Sequence, residues 1–196
     1  YTVSKPVIQV QAGSVSALYR NCANPLKILV PALGAEYAPN FTVTGGKGKA
    51  GKNKGDFTVY PDANAKSVVI NVSSGKNPIG PTKFTTKGIP LPTIKAFAGN
   101  KEVDQKRGMA APGPRSITIK AVPEAGFKAA LKSEARYSIT NWTATLVRGR
   151  RPAGQKSFGT GTNCDIGSLR SNARAGDRIM IEVKDVVRRP SRGGTE

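Results

Sequence analysis

A chain of 196 residues has room for one large or two ordinary domains, and its 22 glycines and 14 prolines favour short strands and turns over long helices. The formal net charge of +19 implies either acidic partners or a heavily solvated surface. The chain has no histidine, which excludes His-based triads and histidine-ligated zinc or haem, and no apolar run reaches the roughly 18 residues of a membrane-spanning helix.

Strand-like segments recur along the first half at 7–11, 15–20, 26–30, 41–44, 56–60, 67–72 and 83–86. The stretch 15–34 is the most informative. Two apolar segments, 15–19 and 26–30, flank Asn21-Cys22-Ala23-Asn24-Pro25, a spacing that reads as a hairpin. Pro25 fixes its own φ and pushes Asn24 toward an extended backbone, so the turn is expected to be well defined. Gly88-Ile89-Pro90-Leu91-Pro92 then breaks the pattern and reads as a linker.

Beyond it, strands are expected at 93–97, 115–122, 137–148, 156–158 and 177–187. The last alternates cleanly, with Ile179, Ile181 and Val183 on one face and Met180, Glu182 and Lys184 on the other, the pattern of a half-buried strand. Short helices are expected at 127–134 and 166–173, the second capped by Asp165. Basic usage differs across the linker. Residues 1–92 carry ten lysines, one arginine and three acids for a net +8, whereas residues 93–196 carry eight lysines, twelve arginines and nine acids for a net +11. The expectation is an all-β protein of two antiparallel sandwiches with little helix, residues 1–90 and 91–196, the second rich in arginine.

Catalytic chemistry finds little support. Gly46-Lys47-Gly48-Lys49-Ala50-Gly51-Lys52-Asn53 approaches a phosphate-cradling loop, but Asn53 replaces the magnesium-binding hydroxyl and a strand follows in place of a helix. A flexible hairpin loop, extended by repulsion among Lys47, Lys49, Lys52 and Lys54, is the expectation there. The close acidic pairs, Glu102/Asp104 and Glu182/Asp185, lack neighbouring aromatics for a sugar platform. A serine nucleophile without histidine would need a lysine base, and no Ser-x-x-Lys stands at a strand-to-helix turn. The reading is a non-enzyme with no cofactor, metal or small-molecule substrate.

Two basic clusters stand out, Arg148-Gly149-Arg150-Arg151 in a loop and Arg188-Arg189-Pro190-Ser191-Arg192 opening the C-terminal tail. Arginine forks suit phosphate and carboxylate alike. Base-stacking aromatics are not interleaved with them, so an acidic protein face is favoured and a basic nucleic-acid-binding β module is the alternative. Trp142, at the centre of its strand, reads as core. Cys22 and Cys164 fall in different halves and leave two states open, a disulfide stapling the halves or two buried thiols. The Asn-x-Ser/Thr matches at Asn40, Asn71 and Asn141 lie in or beside strands and read as chance.

Several segments, in order, carry a resemblance. These are Leu18-Tyr19-Arg20, Asn24-Pro25-Leu26 and Val30-Pro31 in the first half. In the second they are Ala110-Ala111-Pro112-Gly113, the run 127–137 leading into Trp142-Thr143-Ala144-Thr145-Leu146, and the ending 175–186. Together they resemble the last two periplasmic domains of the GldM/PorM family of gliding motility and type IX secretion. Cys22 departs from the residue the family turn implies. The resemblance implies two immunoglobulin-like domains in a homodimeric periplasmic shaft. It also implies an inner-membrane helix absent from this sequence, which begins at Tyr1, a motor partner for that helix, and distal contact with an outer-membrane lipoprotein ring. The implied role is mechanical and connective, with Arg148, Arg150, Arg151, Arg188 and Arg189 as the contact candidates.

Overall fold

The computed structural model describes residues 6–12, 17–105 and 112–191. They form two compact units, Tyr1–Pro90 with Ala125–Glu134, and Leu91–Glu124 with Ala135–Glu196. Both are predominantly β, as the spacing of short apolar segments requires.

The first unit contains β1 (Gln9–Ala12), β2 (Ala17–Tyr19), β3 (Asn24–Leu29), β4 (Pro39–Thr44), β5 (Gly46–Ala50), β6 (Asp56–Pro61), β7 (Ser67–Ser74) and β8 (Asn77–Lys87). They make two four-stranded sheets in the orders β1-β3-β6-β5 and β2-β8-β7-β4. Alternate residues of each sheet face inward. Leu26, Ile28, Phe57 and Val59 from one sheet meet Leu18, Val68, Ile70 and Val72 from the other in a single core. The corner between β4 and β5 turns at Gly45 (φ +85), where a Cβ would strike the Ser67 carbonyl.

The hairpin expected at 15–34 is not formed; residues 13–16 lie outside the described residues. β2 pairs with β8, in parallel, while β3 pairs with β1 and β6 in the opposite sheet. The connection is an arch between sheets. Asn24 explains why. Its side chain, 3% exposed, accepts from the Tyr19 N–H (2.9 Å) and donates to the carbonyls of Tyr19 and Cys22 (2.8 Å each). One amide thus satisfies backbone groups that a hairpin ladder would otherwise pair, and Asn21 (φ 54) adopts the left-handed conformation that reverses the chain. Among the described residues the β2–β8 pair is the parallel exception to otherwise antiparallel ladders.

Residues 46–50, expected as a flexible loop, are strand β5, paired along β6 from Gly46↔Pro61 to Ala50↔Phe57. Gly48 makes this possible, because a Cβ there would overlap the Phe57 ring. The ring covers the strand from the neighbouring position, in place of a side chain of its own.

The second unit contains β9 (Thr93–Ala98), β10 (Lys101–Glu102), β11 (Ser116–Val122), β12 (Tyr137–Arg148), β13 (Arg151–Phe158), β14 (Asn163–Asp165), α2 (Gly167–Ser171) and β15 (Arg178–Arg188). Sheets β10-β9-β11-β14 and β13-β12-β15 enclose a core that includes Ile117, Ile119, Trp142, Ala144, Leu146 and Ile166. Trp142, fully buried, stacks on Phe158 with centroids 4.3 Å apart. The β12–β15 register shifts between Ile139 and Trp142. That irregularity resets the period-two alternation, so both Ile139 and Trp142 reach the core although three positions separate them. Asp165 is not the cap expected of it: the N-cap position of α2 is Ile166, which makes no side-chain cap bond, and Asp165 sits one residue earlier, its Oδ1 accepting from the Gly167 N–H at 2.7 Å.

A second domain running unbroken from residue 91 is the sequence expectation. Residues 125–134, however, pack with the first unit. Helix α1 (Ala125–Ala130) buries Phe127 completely against Tyr19, ring centroids 4.7 Å apart.

Candidate functional site

The arginine-bearing tip of the β12–β13 hairpin is built on a two-residue turn closed by Arg148 opposite Arg151. Gly149 occupies its first central position with φ +61, the position that a type II′ hairpin turn reserves for glycine. The turn projects Arg150 and Arg151 into solvent.

Arg148 points elsewhere. Its Nε donates to Asp177 Oδ1 (3.1 Å) and Oδ2 (3.2 Å), and its Nη2 donates to Asp177 Oδ2 (2.8 Å) and the Asn172 carbonyl (3.0 Å). The Arg174 N–H donates a further bond to Asp177 Oδ2 at 2.9 Å. Asp177 is 6% exposed, so this is a nearly enclosed carboxylate held by a forked guanidinium. The Arg148 hydrogen bonds, followed by that from the Arg174 backbone, hold the Asp177 carboxyl below the usual carboxylate range. The same bond to Asp177 raises the Arg148 guanidinium above its ordinary value. Arg148 is therefore a clamp that ties the end of β12 to the segment 172–177.

The other cluster divides in the same way. Arg188 is buried at 4% exposure, Arg189 is exposed, and Arg192 lies outside the described residues. Arg188 pairs with Tyr137 at the start of β12, while Arg148 ends that strand. Eleven steps of an extended strand separate the two clusters by roughly 35 Å, so they do not form one site. The exposed members are Arg150 and Arg151 at one end of the sheet and Arg189 at the other.

Neither cysteine is in a disulfide. Cys22 is buried in the arch of the first unit, where its carbonyl accepts from Asn24, and Cys164 is buried on β14 opposite Ile117 in the second. Burial raises the Cys164 thiol, with Lys156 opposing in part. Of the acidic pairs, Glu102 forms an exposed ion pair with Lys95 (3.0 Å). Among the described residues no three His, Cys, Asp or Glu side chains gather as a metal-holding group.

The structure also shows what the Leu-Tyr-Arg run does. Leu18 is core, the Tyr19 ring contacts Phe127 and has the Lys87 ammonium 4.2 Å from its centroid, and the Arg20 N–H donates to the Lys87 carbonyl at 3.0 Å. Sequence spacing carried no signal for the Phe127 contact, because its partner lies more than a hundred residues away.

Two matches to known families cover the chain in tandem: the GldM third domain over residues 7–87 and the GldM C-terminal domain over residues 90–196. The chain belongs to the GldM family. It is a GldM-type protein of the gliding-motility and type IX secretion machinery. No match was found among curated proteins. The GldM C-terminal match includes residues 125–134, so part of that sequence domain completes the compact unit formed by the GldM third domain.

Proposed function

We propose that the chain forms the last two periplasmic domains of a homodimeric GldM-type shaft, which carries force and holds an assembly together without catalysing a reaction. In this reading an inner-membrane helix outside the sequence engages a motor partner. The second domain contacts an outer-membrane-associated lipoprotein ring and its periplasmic companion. The observation that supports it is the in-order GldM match over two β units, each with its own closed core. Sheets suit the task, since many backbone hydrogen bonds share a load.

The contact is assigned to the exposed arginines Arg150 and Arg151, whose forked donors suit carboxylates on a partner. Arg150→Ala/Arg151→Ala is expected to weaken pull-down of the ring lipoprotein while Arg148, and with it the Asp177 clamp, stays intact. Undiminished capture would overturn the assignment. Light scattering is expected to show an elongated dimer, and a compact monomer would overturn that part. Duplex DNA binding at about 50 mM salt that falls steeply with added salt would assign the charge to phosphate instead.

A further inference from the structure

A strand at the end of a sheet presents a row of N–H and C=O groups to whatever can pair with them. β5 ends the order β1-β3-β6-β5, and among the described residues it pairs only with β6. Two flanking bonds fix which of its residues face outward. The Asp62 N–H donates to the Gly45 carbonyl (3.1 Å), and the Gly51 N–H donates to the Asp56 carbonyl (2.7 Å), both in register with the ladder. Antiparallel pairs alternate between bonded and unbonded. Lys47 and Lys49 therefore turn their backbone groups toward β6, and Gly46, Gly48 and Ala50 turn theirs to the open edge.

The side chains complete the pattern. Lys47 and Lys49 are exposed on one face, opposite Tyr60 and Thr58, so no carboxylate faces either across the ladder. The other face is apolar at Gly48, where Phe57 and Val43 close in. Lysines on an edge oppose pairing with an identical edge, because like charges would then meet. They favour a strand of opposite charge, and the net +8 of residues 1–92 draws such a strand in.

We propose that the open edge of β5 takes up an extended acidic segment of a partner protein as an added strand, with carboxylates at alternate positions beside Lys47 and Lys49. The segment's intervening side chains lie toward Phe57 and Val43. This interaction is carried by the first unit and does not rest on the arginine contact proposed above for the second.

The test uses the full chain and a fluorescein-labelled eight-residue peptide alternating glutamate and valine, read by anisotropy at low salt. A control peptide of the same composition has its glutamates in one block. The alternating peptide is expected to bind about tenfold more tightly than the blocked one. Lys47→Glu/Lys49→Glu is expected to abolish binding. Ala50→Pro removes only an outward N–H, leaves the β5–β6 ladder its bonds, and is expected to weaken binding about tenfold. On binding, amide exchange should slow at Gly48 and Ala50.

Equal binding of the two peptides, or an Ala50→Pro chain that binds like the parent, would overturn the proposal. So would displacement of the peptide by an unrelated DNA duplex whose own binding needs the lysines but not the Ala50 N–H. Should Ala50→Pro fail to fold, a peptide N-methylated at alternate residues asks the same question from the other side. Loss of its binding supports strand addition, and undiminished affinity refutes it.

Discussion

Asn24 does at one position what a ladder does along a strand. Its amide satisfies the N–H and C=O of Tyr19 and the carbonyl of Cys22 inside a site that excludes water. Replacing it with alanine removes these bonds from a buried site, and a group left unsatisfied there costs about 1–3 kcal/mol. Asn24→Ala is therefore expected to lower unfolding stability by roughly 3 kcal/mol in urea titration, with an unchanged slope. A loss below about 1 kcal/mol would mean that the arch re-pairs its backbone without the amide. The sequence announced a turn here through Asn-Pro, and a turn is what forms. It could not announce that the flanking strands part into different sheets, because strand patterning is the same on either side of a sandwich. The deciding signal is a single side-chain hydrogen-bond set, and its partners include Val59, which lies far along the chain.

Elements that carry their own apolar side chains were readable from the sequence, and β7, β12 and β15 begin or end within two residues of where alternation places them. β5 was not, since its cover is the Phe57 ring on β6, so glycine spacing mimicked a loop. The arginine cluster was readable only as charge. Spacing cannot distinguish Arg150, which meets solvent, from Arg148, which closes on Asp177. That clamp gives the β12–β13 hairpin a pH signature. Because the Asp177 carboxyl is held below its unfolded value, its contribution is fully present above the ordinary aspartate pKa of about 3.9 and is lost as pH falls through the folded value. Urea midpoints of the parent and Asp177→Asn are expected to differ by a constant margin above about pH 5. The margin should narrow below about pH 4, until the two curves meet in strong acid. A margin that persists undiminished at pH 2 would show that the carboxylate charge is not what holds Arg148.

For the molecule as a whole, chain order and packing order differ. The Gly88–Pro92 break was visible in the sequence because glycine and proline punctuate the backbone locally. The return of residues 125–134 to the first unit was not, because short helices carry little periodicity and the Phe127 ring packs on Tyr19, more than a hundred residues away. This arrangement makes a distinctive prediction about where damage should appear. Phe127 lies within the GldM C-terminal match, so a damaged residue there would ordinarily weaken its own sequence domain. Its ring is instead buried against Tyr19 of β2, whose parallel pairing with β8 spans only three residues. Phe127→Ala removes a fully buried aromatic and is expected to cost about 3–5 kcal/mol. The loss should appear as faster amide exchange at Leu18 and Tyr19 in the first unit, with Ile117 and Ile119 in the second unit protected as before. Loosening of the β11 amides with β2 unaffected would reverse the assignment of the helix. A chain that behaves as expected has a third domain completed by residues of the fourth, so the segment 1–90 alone should be less stable than it is within the full chain.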